Sequence, residues 1–122
     1  MMTNYKVLIV DDVNEVRGLL RTLLMSIGFS EIEEAKDGET AKTMCQSATY
    51  DVILLDIELP DYSGMDLLKF FRGLYPDTSI IMCSAHSTVD NVTDSLIAGA
   101  KSFLVKPFSI KKLQNAFNNV AS

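Results

Sequence analysis

The chain has 122 residues, 48% apolar and 22% charged, with 16 acidic side chains against 11 basic ones and a net charge of −5. That size and balance fit one globular domain and exclude a disordered tail, a collagen-like rod and a disulfide scaffold. An acidic domain also lacks the basic footprint of a direct nucleic-acid binder and is ill suited to an anionic membrane face.

Tyr5–Val10 is a short, β-branched run and is predicted to form the first strand. Val13, Val16, Leu20, Leu23, Leu24 and Ile27 then recur at helical spacing, and Gly28 follows as a stop. Glu31–Ala35 reads as a more polar second strand, suited to a sheet edge. After an Asp37-Gly38 turn, Ala41, Met44, Cys45 and Ala48 predict a second helix. Asp51–Leu55 is the third strand, and Ser63 with Asp66 is a capping pair opening a helix through Leu67, Leu68, Phe71 and Leu74. Ser79–Cys83 is the fourth strand; Val89, Val92 and Leu96 mark a shorter helix ending near Gly99. Ser102–Val105 is the fifth, and Ser109 caps a last helix bearing Ile110, Leu113, Phe117 and Val120.

Five strands alternating with five helices predict an α/β fold, a (βα)5 doubly wound five-stranded parallel sheet joined by right-handed crossovers. Past their first residues four of the strands are apolar on both faces and do not alternate cleanly, as covered parallel strands are. One domain over residues 1–122, with no output domain, is expected. Cys45 and Cys83 lack metal-type spacing and sit within apolar patterns, so both read as free buried thiols of a reducing compartment. No apolar run approaches the roughly 20 residues of a membrane span and no secretory leader pattern is present, which points to the cytoplasm.

Ligands of open α/β sheets bind beyond the carboxyl ends of the strands, where the strand order reverses. Asp11 and Asp12 follow the first strand, Asp56 follows the third, Cys83-Ser84 close the fourth, and Lys106-Pro107 follow the fifth. Taken singly these residues have ordinary readings. Asp12 with Glu15 fits a capping pair, Asp56 a turn, Ser84 a loop hydroxyl and Lys106 a solvated amine. Together they point to one crevice. Three carboxylates in it would repel one another, and a hard divalent cation such as Mg²⁺ is the simplest remedy. With one lysine added, the charges sum to zero.

The stretches VLIVDD (7–12), VILLDIELPDYSGMDLL (52–68), IIMCSAH (80–86) and FLVKPF (103–108) stand in an order and spacing that resemble the receiver domains of two-component response regulators, the CheY-like family. The resemblance runs from about Tyr5 to Val120. It implies a flavodoxin-like sheet of strand order 2-1-3-4-5. It implies that Asp56 is the phosphoacceptor of an aspartyl phosphate, taking the group from a sensor histidine kinase or a histidine phosphotransfer protein. Asp12 and Asp56 are then direct ligands of Mg²⁺ (Mn²⁺ is an alternative), Asp11 acts mainly through water, and the backbone carbonyl of Glu58 completes the set. Lys106 pairs with a phosphoryl oxygen, Ser84 hydrogen-bonds the group, and a cis peptide before Pro107 aims Lys106.

In the same family Phe103 occupies the switch-aromatic position; without a tyrosine hydroxyl, its switching rests on packing alone. Glu58 and His86 sit where the family tunes dephosphorylation. The Glu58 side chain is read as projecting into solvent, and His86 as a pocket-rim or exposed group and no phosphodonor. Such a domain is no enzyme with separate substrate turnover. It signals through its fourth helix, fifth strand and fifth helix to an output protein or effector domain, without nucleic acid or membrane, as a monomer or a phosphorylation-dependent dimer.

Three other readings are distinguishable. A haloacid dehalogenase-like phosphatase carries its nucleophile on the first strand and usually a cap domain, whereas here the acceptor follows the third. A receiver that binds partners without phosphorylation is argued against by the complete acid, serine and lysine set. A receiver excised from a larger regulator has the same chemistry with a different output.

Overall fold

A computed structural model describes residues 4–86 and 88–121; Met1–Thr3, Ser87, Ser122 and the side chains of Val89 and Ala121 lie outside the described residues. Strands and helices alternate: β1 Lys6–Val10, α1 Asn14–Ile27, β2 Glu31–Ala35, α2 Gly38–Ser47, β3 Val52–Asp56, α3 Gly64–Leu74, β4 Ser79–Ser84, α4 Val89–Ile97, β5 Ser102–Val105 and α5 Ile110–Ala121. The strands form one parallel sheet of order β2-β1-β3-β4-β5. This is the expected (βα)5 architecture, with the more polar β2 at an edge.

Alternation along each strand divides the core. Val7, Ile9, Val52, Leu54, Ile81, Cys83 and Leu104 face α1 and α5, whose Leu20, Leu24, Leu113 and Phe117 cover them. Leu8, Val10, Ile53, Leu55, Ile80 and Met82 face the other layer, with Ala41, Cys45, Leu67, Leu68 and Phe71 of α2 and α3. A period of two thus sends apolar side chains to both faces, which is why these strands read as unbroken apolar runs.

Helix ends follow the local chemistry. Gly28 takes a φ of 119° and donates its N–H to the Leu24 carbonyl, a left-handed stop that favours glycine. Ser63 accepts from Asp66 N, Thr88 from Asn91 N and Ser109 from Lys112 N. Asp37 is the N-cap of α2, accepting from Thr40 N, so Asp37-Gly38 begins the helix itself.

The alternative reading of Asp12 as a helix cap is not realised. The N-cap of α1 is Val13, with no side-chain cap, so Asp12 and Glu15 do not form the pair. The Val13 N–H is taken instead by Asp11 Oδ1 at 2.9 Å, which leaves the Asp12 carboxylate to the crevice. Two strands also run one residue further than expected. Asp56 pairs with Cys83 and Ser84 with Val105, so both functional candidates are the last residues of strands. Among the described residues no helix is long and apolar enough to cross a membrane.

Candidate functional site

The strand order reverses between β1 and β3, and the crevice beyond their carboxyl ends is where the sequence candidates meet. One carboxylate oxygen from each of Asp11, Asp12 and Asp56 lies within 4.8 Å of the others. Asp11 and Asp56 are buried and Asp12 is exposed. Lys106 reaches in from the end of β5, its Nζ 3.2 Å from Asp56 Oδ2 and 3.3 Å from Asp11 Oδ2. The Lys106–Pro107 peptide is cis.

Backbone contacts orient the acids. Asp56 Oδ1 accepts from Glu58 N at 3.0 Å. Gly64 donates to the Ile57 carbonyl at 2.7 Å, and a Cβ there would stand 2.4 Å from Ile57 Cα and 2.6 Å from the Asp56 carbonyl. Only glycine permits α3 to start so close to the phosphoacceptor candidate's own strand. Ser84 is buried; its Oγ accepts from His86 N at 2.9 Å, and its carbonyl accepts from Lys106 N at 2.9 Å.

A cleft of about 390 Å³ opens over these groups, with Asp12, Asp56, Glu58, Ala85, His86 and Lys106 in its wall. Glu58 and His86 face each other across its mouth, both largely exposed, with His86 Nε2 3.5 Å from Glu58 Oε1. The Glu58 side chain is therefore in solvent, as expected, but with a histidine partner that its sequence position did not disclose. Phe103 is half-buried and packs on the α2/α3 side of the core, outside the wall of this cleft.

Burial, and next to it the negative charge of Asp11, raises the Asp56 carboxyl to about 6, against the Glu58 N–H and the Lys106 charge, which lower it. Burial disfavours the charged Lys106, yet Asp56 and Asp11 together outweigh it and hold the amine above its ordinary value. Cys83, opposite Asp56 in the ladder, is pushed up by burial and then by the two acids, so it stays a thiol. Burial likewise raises Cys45 to about 11. Both cysteines are free and buried.

A cation fits this donor set on two observations. Three hard carboxylate oxygens converge, which suits a small divalent ion such as Mg²⁺. Asp11 Oδ2 is buried without a hydrogen bond; Lys106 stands in charge contact but outside hydrogen-bond geometry. A buried carboxylate oxygen left in that state is costly, and a cation relieves it.

Sequence reasoning passed over Arg17. It lies on the apolar stripe of α1 between Val13 and Leu20, and a charge on a buried face requires partners. That was the available signal.

The domain is therefore of the flavodoxin-like α/β class, with an acidic crevice and one lysine at its switch point. It belongs to the response regulator receiver domain family, whose sequence description matches residues 7–118. The chemotaxis protein CheY of Bacillus subtilis is 34% identical over 114 residues, covering 93% of this chain and 95% of that protein. CheY4 of Vibrio cholerae superposes with a TM-score of 0.87 at 32% identity, covering 96% and 98% of the two chains. The CheX–CheY–BeF₃–Mg²⁺ complex of Borrelia burgdorferi contains a similar chain, at TM-score 0.88 and 34% identity, with 97% and 90% covered. Receivers of this family accept a phosphoryl group, bind Mg²⁺ at an acidic pocket and serve two-component signalling.

Proposed function

We propose that this receiver takes a phosphoryl group from a phosphohistidine, on a sensor histidine kinase or a histidine phosphotransfer protein, onto Asp56. The phosphorylated form then controls a protein partner in the cytoplasm. The observation that carries the reading is the meeting of Asp56 with two further acids and Lys106 at the switch point.

A carboxylate is a nucleophile at neutral pH, so Asp56 needs no general base. One of its oxygens bonds to phosphorus as the bond from phosphorus to the donor imidazole nitrogen breaks. Transfer depends mainly on alignment and charge compensation. Asp12, Asp56 and the Glu58 carbonyl would hold Mg²⁺, with Asp11 acting through water; once bound, the ion supplies positive charge to the transferring group.

Lys106 exchanges its carboxylate partner for a phosphoryl oxygen. The Ser84 hydroxyl donates to another, drawing the β4–α4 connection toward Asp56. Phe103 repacks into the space so opened, and the surface of α4, β5 and α5 changes with it. The domain thereby promotes its own phosphorylation and dephosphorylation without turning over a separate substrate. The Borrelia chain held with CheX, BeF₃ and Mg²⁺ supports a metal-loaded, partner-bound state.

Incubation with a small phosphodonor and Mg²⁺ tests the reading. One acid-stable, base-labile phosphoryl group should appear by intact mass, and EDTA should abolish it. Undiminished incorporation in Asp56→Asn would refute the assignment.

A further inference from the structure

Arg17 is 9% exposed although it carries a guanidinium. A buried guanidinium persists where oxygens meet its donors, and three do. Its Nε donates to Glu34 Oε1 at 3.0 Å and its Nη1 to the Asp11 carbonyl at 2.5 Å, while its Nη2 donates to Asn14 Oδ1. The three acceptors belong to β2, the end of β1 and the first turn of α1.

The anchor itself is held firmly. The other oxygen of Glu34 accepts from Arg21 Nε at 2.7 Å, and Arg21 Nη2 donates to the Ile32 carbonyl at 2.9 Å. Both arginines thus share Glu34, but only Arg17 extends to the crevice. The Asp11 carbonyl that it grips lies in the same planar peptide group as the Asp12 nitrogen. Asp11 N donates to the Ala35 carbonyl of the same strand β2 at 3.1 Å. The guanidinium therefore fixes the plane from which both acidic side chains depart. A side chain that served only to fill the helix face would need Glu34 alone.

We infer that Arg17 is a positioning residue for the acidic cluster: by holding the peptide between Asp11 and Asp12 against β2, it sets the separation of their carboxylates and so the affinity for a divalent cation. The inference rests on the reading of that cluster as a Mg²⁺ site. Groups that orient metal ligands typically change affinity by about 10- to 100-fold when removed.

The test is Mg²⁺ binding to the intact chain without phosphodonor, followed by calorimetry and by amide chemical shifts of residues 11–14. Arg17→Met should weaken binding about tenfold or more. Arg17→Lys should weaken it as well, because an ammonium does not span three oxygens as a planar fork does. Arg21→Met, which loses a comparable bond to Glu34, should stay within about twofold of the wild type, and it separates positioning from general loosening. Should Arg17→Met fail to fold, the Arg17→Lys and Arg21→Met pair decides. A wild-type chain that binds no Mg²⁺ overturns the reading beneath and this inference with it. A binding wild type with Arg17 variants that bind as tightly, or with Arg21→Met weakened equally, overturns this inference alone.

Discussion

Lys106 and Asp56 are 50 residues apart in the chain, yet their side chains meet at 3.2 Å. The contact crosses the sheet. Lys106 follows β5 and Asp56 ends β3, so the amine passes over the end of β4, where Ser84 sits. The amine that faces the acids thus directly follows the edge strand that holds Phe103, which links charge in the crevice to packing at β5.

Lys106→Ala should fold and still accept a phosphoryl group, because the nucleophile and the other acids remain. It should lose the coupling to the surface. Phosphorylation normally changes partner affinity by roughly 5- to 150-fold in coupled systems; in the variant the change should fall to about twofold or less. Titration of a partner against phosphorylated and unphosphorylated protein checks this. A normal response would remove Lys106 from the relay.

Asp12→Asn removes one of three like charges held within 4.8 Å of one another. Without metal it should stabilise the fold by about 1 kcal/mol, a Coulomb term reduced by the exposure of Asp12. Mg²⁺ should then add little, whereas a wild type at 100 times its dissociation constant gains about 2.7 kcal/mol. Urea denaturation with and without Mg²⁺ measures both.

Much of this was legible beforehand, for physical reasons. Val7–Val10 and Val52–Leu55 read as strands because a two-sided sheet needs apolar residues at every position. The strand-end placement of Asp11, Asp56, Ser84 and Lys106 followed from alternation alone. What stayed hidden depends on tertiary pairing. Asp56 and Ser84 continue their strands because Cys83 and Val105 supply ladder partners, which no local rule reveals at a polar residue. Local pattern alone left a cap open for Asp12, because the contact that displaces it, Val13 N to Asp11 Oδ1, is equally local. The Glu58–His86 contact and the reach of Arg17 to the Asp11 carbonyl join segments far apart in sequence or on different elements.

Ser84→Ala deletes the acceptor of the His86 N–H, a part-buried hydrogen bond. It should cost about 1 kcal/mol of stability. It should not prevent phosphoryl acceptance at Asp56, but the amide shifts of residues 84–86 should no longer move on phosphorylation. Two-dimensional NMR before and after phosphorylation distinguishes these effects.

Glu34 supplies a dependence on pH. Burial works against its charge, but Arg21 and Arg17 outweigh it and hold the carboxyl below its ordinary 4.5. A folded value below the unfolded one contributes stability that is present above the unfolded value and lost as pH falls through the folded value. Glu34→Gln should therefore cost about 1 kcal/mol near neutral pH, allowing for solvent screening of a partly exposed group. The gap to the wild type should narrow progressively below pH 4.5. Denaturant melts from pH 7 to pH 3 follow it.

The most direct measurement is a crystal structure of the chain grown with Mg²⁺ and beryllium trifluoride. The account predicts the beryllofluoride group on Asp56, its beryllium bonded to a carboxylate oxygen, and one Mg²⁺ about 2.1 Å from carboxylate oxygens of Asp12 and Asp56 and from the Glu58 carbonyl. An ion bound elsewhere, or those acids turned to separate surfaces with the beryllofluoride absent from Asp56, would contradict it.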